Sequence, residues 1–197
     1  MPRTVLLNPG PVNITDKVRQ AMLLPDLCHR EKEFTDLMAA IRGKLLKAFN
    51  IENEFMSVLV SGSGTAALEM AVSSSLTPGR SMLVIENGVY GERIGKLCDV
   101  YNFNRHTIKL DWGVPPNLHD IEDILKKQCD IEVVSLVHHE TTTGLLNPLQ
   151  AVGELAKKYG KVFLVDCISS LAGDEMDFSS IDLAVGTANK CLQGVPG

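Results

Sequence analysis

No CxxC pair occurs among the five cysteines, Cys28, Cys98, Cys129, Cys167 and Cys191. Their wide spacing and odd number suggest neither a zinc site nor a redox couple, and no metal is expected. Buried reduced thiols of a cytoplasmic protein are the expected state. Basic runs are missing too: 19 Lys and Arg stand against 24 Asp and Glu, a net charge of −5. Such a chain is ill suited to neutralising a phosphate backbone, so nucleic acid is not an expected partner. Apolar stretches such as VLV or FLV are far shorter than the roughly 20 residues a membrane span needs. MPRTVLLNPGP reaches Asn8 and Pro9 after three apolar residues, so neither a signal peptide nor a membrane anchor is expected. What is left, 45% hydrophobic and 22% charged over 197 residues, is an ordinary globular composition. Its length allows one large domain or a domain and a half.

Apolar runs alternate along the chain with helical patterns. After the run VLL comes the turn NPGPV, which can be neither helix nor central strand. Thr15 reads as the N-cap of a short helix ending near residue 23. A longer helix over 31–49 puts Phe34, Leu37, Met38, Ile41, Leu45 and Ala48 on one face. The pattern predicts strands over 55–60, 81–86, around Ile108, and over 132–137, 161–166 and 181–186. Between them it predicts helices over 64–75, 90–100, 117–128 and 148–159. Strands spaced by helices of this length imply βαβ crossovers, hence an α/β fold: three layers around a mainly parallel sheet. Ligands of such sheets sit beyond the carboxyl ends of the strands.

Three features stand at those ends. VSGSGTAALE, residues 60–69, is a glycine-rich turn into a helix. Its backbone N–H groups and helix terminus suit a phosphate, an effect worth up to about 2 kcal/mol, with Ser63 and Thr65 adding hydroxyls. A plain helix cap explains the same residues. So does a dinucleotide site, since Gly62, Gly64 and Ala67 spell GxGxxA and Glu86 ends the next strand. Asp166, last residue of KVFLVD, is a carboxylate at the mouth of a buried strand, where it makes sense opposite a cation. Capping of the following loop is its alternative. Lys190 lies just past the last apolar strand; alone it would face solvent, but beside a phosphate cradle and an acid it can serve as an amine nucleophile. Cradle, acid and lysine are the parts that pyridoxal 5′-phosphate requires, and a dinucleotide enzyme has no comparable use for this Asp–Lys order. His138 and His139 look like a metal pair, but neighbours on a strand point to opposite faces.

NPGPV, CHREKEF, GSGTAALE, ENGVYGER, HHETTTGLLNPL, LVDCISSLAG and ANKCLQGVPG together resemble the fold-type-I, class V aminotransferases, in the family's order and over the whole chain. CHREKEF and ANKCLQGVPG resemble the branch that acts on an aminophosphonate. The resemblance implies the large domain of a pyridoxal-phosphate-dependent transferase, with Lys190 as the Schiff-base lysine and Asp166 as the partner of the pyridinium nitrogen. It implies that Ser63, Gly64 and Thr65 hold the cofactor phosphate and that Tyr90 stacks on the pyridine. Thr141 falls where a hydroxyl contacts the cofactor's phenolic side, although Thr142 and Thr143 are hard to separate from it. The loop Asn8 to Pro11 resembles a segment at the substrate entrance, with His29 and Arg30 near it.

The implied reaction moves an amino group from 2-aminoethylphosphonate to pyruvate, giving phosphonoacetaldehyde and L-alanine, in a cytoplasmic homodimer. Alanine–glyoxylate or serine aminotransferases, a phosphonate-directed lyase, and a non-catalytic fragment acting only in binding or assembly are the alternatives. Residues 1–30 are expected to form an arm with a short helix, and 31–197 a truncated large domain. The C-terminal small domain is expected to be absent, and with it the arginine that binds the substrate's acidic group. The chain by itself is therefore expected to be inactive.

Overall fold

The computed structural model describes residues 4–196. Met1–Arg3 and Gly197, at the outer ends of the expected arm and large domain, lie outside them. Two compact units emerge: residues 14–61 form one, and the rest of the described chain forms the other. The division expected at residue 30 falls inside the smaller unit.

That unit holds α1 (Asp16–Ala21) and α2 (Lys32–Ala48). Thr15 caps α1 as expected, its Oγ1 accepting the Val18 N–H at 3.3 Å. Neither helix contains a buried residue. Along the expected apolar face of α2, Phe34, Met38 and Leu45 are half-buried, while Leu37 and Ile41 are exposed. Residues 55–60, expected as a strand, form none. Their side chains do alternate, with Met56, Val58 and Val60 exposed and Phe55, Ser57 and Leu59 half-buried. Alternation shows an extended chain, but a strand also needs a neighbour to complete its ladder. No described residue provides one.

The larger unit is built on five parallel strands: β1 (Ser81–Glu86), β2 (Asn104–Lys109), β3 (Ile131–Val137), β6 (Val162–Asp166) and β7 (Leu183–Val185), in the order β2-β1-β3-β6-β7. A short antiparallel hairpin, β4 (His139–Glu140) with β5 (Leu145–Leu146), follows β3 and was not foreseen. The helices α3 (Gly64–Ser74), α4 (Val89–Val100), α5 (Leu118–Lys127) and α6 (Leu149–Lys158) lie within two residues of the predicted spans.

Strand β1 is buried at every residue, whereas the edge strand β2 is buried only at Ile108. That contrast follows from helices covering both faces of a parallel sheet. Leu68 and Val72 of α3, and Ile94 and Cys98 of α4, pack with Met82, Val84, Val133, Leu164 and Val185 in one core. Register then aligns the carboxyl ends, for Asp166 pairs with Val137 on one side and Val185 on the other.

All five cysteines are free. Only two fit the expected burial: Cys98 and Cys167 are buried, their thiols pushed up to about 11 and about 12 by desolvation, while Cys28, Cys129 and Cys191 are exposed. Among the described residues no helix is long and apolar enough to cross a membrane, and no cluster of three metal-ligating side chains occurs.

Helix α4 approaches β1 so closely that a Cβ on Gly91 would lie 2.6 Å from the Ile85 carbonyl oxygen and 3.0 Å from Glu86 Cα. Backbone cannot swing aside as a side chain can. Gly91→Ala should therefore cost about 1–3 kcal/mol of stability, the usual cost of overpacking. Denaturant unfolding measures it, and an unchanged midpoint would mean that α4 rides freely on β1.

Candidate active site

Beyond the carboxyl ends of β3, β6 and β7 lies a cavity of about 500 Å³. Ser63, Gly64, Thr65, Tyr90, Thr141, Asp166 and Lys190 all line it, so every residue singled out in the sequence for cofactor or catalysis meets in one place.

Asp166 is 3% exposed. Its Oδ1 accepts the Ile168 N–H at 2.9 Å, and its Oδ2 is buried with no partner. Desolvation pushes the carboxyl up to about 6; the Ile168 N–H and the Arg93 charge restrain the rise, and Glu140 adds to it. A dry carboxylate with one idle oxygen is a site for an N–H donor or a cation. The protonated ring nitrogen of pyridoxal phosphate is such a donor, and the acid present fits it.

The glycine turn enters α3. Ser63 caps the helix through its Oγ, which accepts the Ala66 N–H at 3.2 Å, and its carbonyl takes the Ala67 N–H at 3.2 Å. The N–H groups of Gly64 and Thr65 precede the first intrahelical bond and are left for a ligand. Thr65 Oγ1 accepts from Arg93 Nη1 at 2.9 Å. The same guanidinium stands 4.6 Å from the centre of the Tyr90 ring, close enough for a cation–π contact.

The hairpin separates the three threonines. Thr141 lines the cavity, Thr142 donates its hydroxyl to Glu140 Oε1 at 2.6 Å, and the Thr143 N–H bonds the Glu140 carbonyl at 3.2 Å. Lys190 Nζ donates to the Pro9 carbonyl at 3.1 Å. Gly10 beside it has φ +122°, and a Cβ there would overlap the lysine stem and lie 2.7 Å from Nζ. The NPGP turn therefore packs on the lysine itself. His29 and Arg30 belong to the other unit.

Sequence reasoning passed over Arg93 and Glu140, and it treated His139 only as half of a metal pair. Arg93 carries a readable signal, since three residues after Tyr90 on a helix is the same face. Glu140 carries none, because its partners come from a different element. His139 also lines the cavity, with Nδ1 2.9 Å from Asp174 Oδ2. Its neighbour His138 bonds Ser170 Oγ at 3.0 Å, and burial lowers its pKa. The two rings bond different partners. Glu86, the acid a dinucleotide would need, is buried and takes Arg105 Nη1 at 3.1 Å. Among the described residues no paired strand precedes the glycine turn either, and the dinucleotide reading is set aside.

Comparison with known proteins bears on the family and the fold. The family described as Aminotransferase class-V matches residues 20–197. A 2-aminoethylphosphonate–pyruvate transaminase of Vibrio vulnificus is 40% identical over 196 residues, which cover 98% of this chain and 53% of that protein. A bifunctional phosphonoacetaldehyde hydrolase/aminoethylphosphonate transaminase of Clostridioides difficile is also 40% identical, over 98% of this chain and 31% of its own length. Among solved structures, the alanine–glyoxylate aminotransferase of a Nostoc species superposes with a TM-score of 0.91 at 34% identity, covering 100% of this chain and 52% of that one. The chain spans about half the length of the Vibrio transaminase and about a third of the bifunctional protein.

The raised Asp166 pKa makes a test of the cofactor-free protein. A carboxyl whose folded pKa lies above its ordinary 3.8 adds stability below that value and loses it as pH climbs through about 6. Asp166→Asn removes the titration. The variant should match the parent near pH 3.5 and be more stable above pH 6.5, by at most about 3 kcal/mol at about 1.4 kcal/mol per pKa unit. Denaturant titrations across this range measure the difference, and a gap independent of pH would show that Asp166 is solvated.

Proposed function

The chain belongs to the class-V aminotransferase family, and from that premise we propose that it is part of a pyridoxal-phosphate-dependent transaminase carrying the amino group of 2-aminoethylphosphonate to pyruvate. The products are phosphonoacetaldehyde and L-alanine. The observation that carries the chemistry is the idle, buried Oδ2 of Asp166, in one cavity with the Lys190 amine and the open N–H groups of α3. The names of the relatives at 40% identity support the choice of donor.

Pyridoxal phosphate, when bound, supplies an aldehyde carbon and a ring that accepts electrons. Gly64 and Thr65 would hold its phosphate through their N–H groups, with the α3 dipole and the Ser63 and Thr65 hydroxyls in support. Asp166 Oδ2 would take the ring N–H. Out of water, that interaction is stronger than at a surface and holds positive charge where electrons must flow. Tyr90 offers a face to stack on, and Arg93 fixes the plane of that face. Thr141 supplies a hydroxyl on the phenolic side.

Lys190 bonds a neutral carbonyl and no carboxylate among the described residues. Its amine would hold the cofactor through the aldehyde and, when free, would take and return a proton at the donor carbon. The same reading makes residues 31–197 part of a large domain in a cytoplasmic homodimer.

The similarity to the alanine–glyoxylate aminotransferase favours one second reading, with alanine as donor and glyoxylate as acceptor. Protein expressed from its full open reading frame separates the two. With 2-aminoethylphosphonate and pyruvate it should form alanine steadily, and with alanine and glyoxylate little glycine. Borohydride treatment of the loaded protein should leave the pyridoxyl label on Lys190; a label on Lys161 or Lys96 would sink the assignment. Lys190→Ala should retain some cofactor yet lose at least a hundredfold in turnover, which is about 2.7 kcal/mol of barrier.

A further inference from the structure

Glu140 does not line the cavity, yet it ties two of its walls together. It closes β4 and is 0% exposed. Its Oε2 accepts the N–H groups of Tyr90 at 3.0 Å and Gly91 at 3.2 Å, in the first turn of α4. Its Oε1 accepts the Thr142 hydroxyl at 2.6 Å and the Thr142 N–H at 3.3 Å. Thr142 Oγ1 in turn takes the Val89 N–H at 3.3 Å. The Glu140 carbonyl accepts the Thr143 and Gly144 N–H groups at 3.2 and 2.9 Å, closing the turn that carries Thr141.

A carboxylate is costly to bury unless its lone pairs are met. Here four donors meet them, and the positive end of a helix adds to the attraction. Helix α4 needs this, because its N-cap residue, Gly88, has no side chain to offer. Gly88 cannot have one: a Cβ there would overlap the Glu140 side chain and lie 2.7 Å from Oε2.

We propose that Glu140 is a positioning residue of this site, fixing Tyr90 against the Thr141 turn so that a stacked ring meets both at a set angle. The identity of that ring rests on the function proposed above. A purely structural clamp would act through packing alone. Glu140 also acts through charge, since it raises the Asp166 carboxyl from across the cavity wall. The other charge acting on that carboxyl is Arg93 on α4, and the titratable side chains of Lys190 and His139 line the same cavity.

Two variants and three readouts test the proposal. Glu140→Gln keeps the shape and removes the charge, while Thr142→Val removes one donor and keeps the charge. With pyridoxal phosphate as the probe, both should bind more weakly, Glu140→Gln by about tenfold and Thr142→Val by less, and both should show a smaller induced circular dichroism of the bound ring. In cofactor-free protein, the pH at which Asp166 affects stability should fall in Glu140→Gln and stay in place in Thr142→Val. Parental affinity and dichroism in Glu140→Gln, or an unmoved pH transition, would overturn the proposal. If Glu140→Gln failed to fold, Thr142→Val would decide, and an unaltered dichroism there would count against it. A parent protein giving no signal with pyridoxal phosphate would refute the function instead, and the pH comparison would still judge Glu140.

Discussion

One oxygen atom without a partner governs this site. Asp166 Oδ2 is buried at the end of a central strand, and no group of the described chain satisfies it. The arrangement is stable only because the sheet around it excludes water: Val137, Leu164 and Val185 lie in the core that α3 and α4 cover. A thinner covering would let water bond the oxygen and the carboxyl would titrate ordinarily. The Ile168 N–H holds the other oxygen and aims the group. The fold thus spends stability to keep an acceptor ready, which is the pattern expected where a ligand completes the polar network.

Arg93 connects the remaining parts. Its guanidinium donates to Thr65, lies over the Tyr90 ring and restrains the rise in the Asp166 pKa. A planar fork with several donors can serve a hydroxyl and a ring face at once. Thr65, the Tyr90 ring and Asp166 are therefore coupled through one side chain on α4. A shift of that helix would disturb all three together, and this gives the tight seat of Gly91 on β1 a functional meaning.

How much of this was legible in the sequence depended on how local the signal was. Central strands and their crossover helices announce themselves through apolar runs and helical spacing. Asp166 and Lys190 were found because each follows such a run directly. The segment 55–60 shows the opposite case: its alternation is in the sequence, but a ladder is a property of two segments. The apolar face of α2 was likewise readable as a pattern, while its covering was not. Choosing among Thr141, Thr142 and Thr143 needed the β4–β5 turn, with Gly144 at φ +77°, which three consecutive threonines do not specify. Glu140 reaches from β4 to α4, so no spacing along the chain could reveal it.

Two buried carboxylates stand near each other, and their surroundings assign them different work. Glu140 is met by four donors from α4 and the threonine turn, which leaves it nothing to offer a ligand. Asp166 is met by one, and its second oxygen is buried with no partner. Neither residue type nor burial distinguishes the two, since both are nearly inaccessible. The number of satisfied lone pairs does. Like charges in a dry region also disfavour each other, so the fully bonded member raises the pKa of the half-bonded one. Glu140 thereby makes the open oxygen of Asp166 more demanding of a proton or an N–H, and the structural carboxylate sharpens the site that the other one offers.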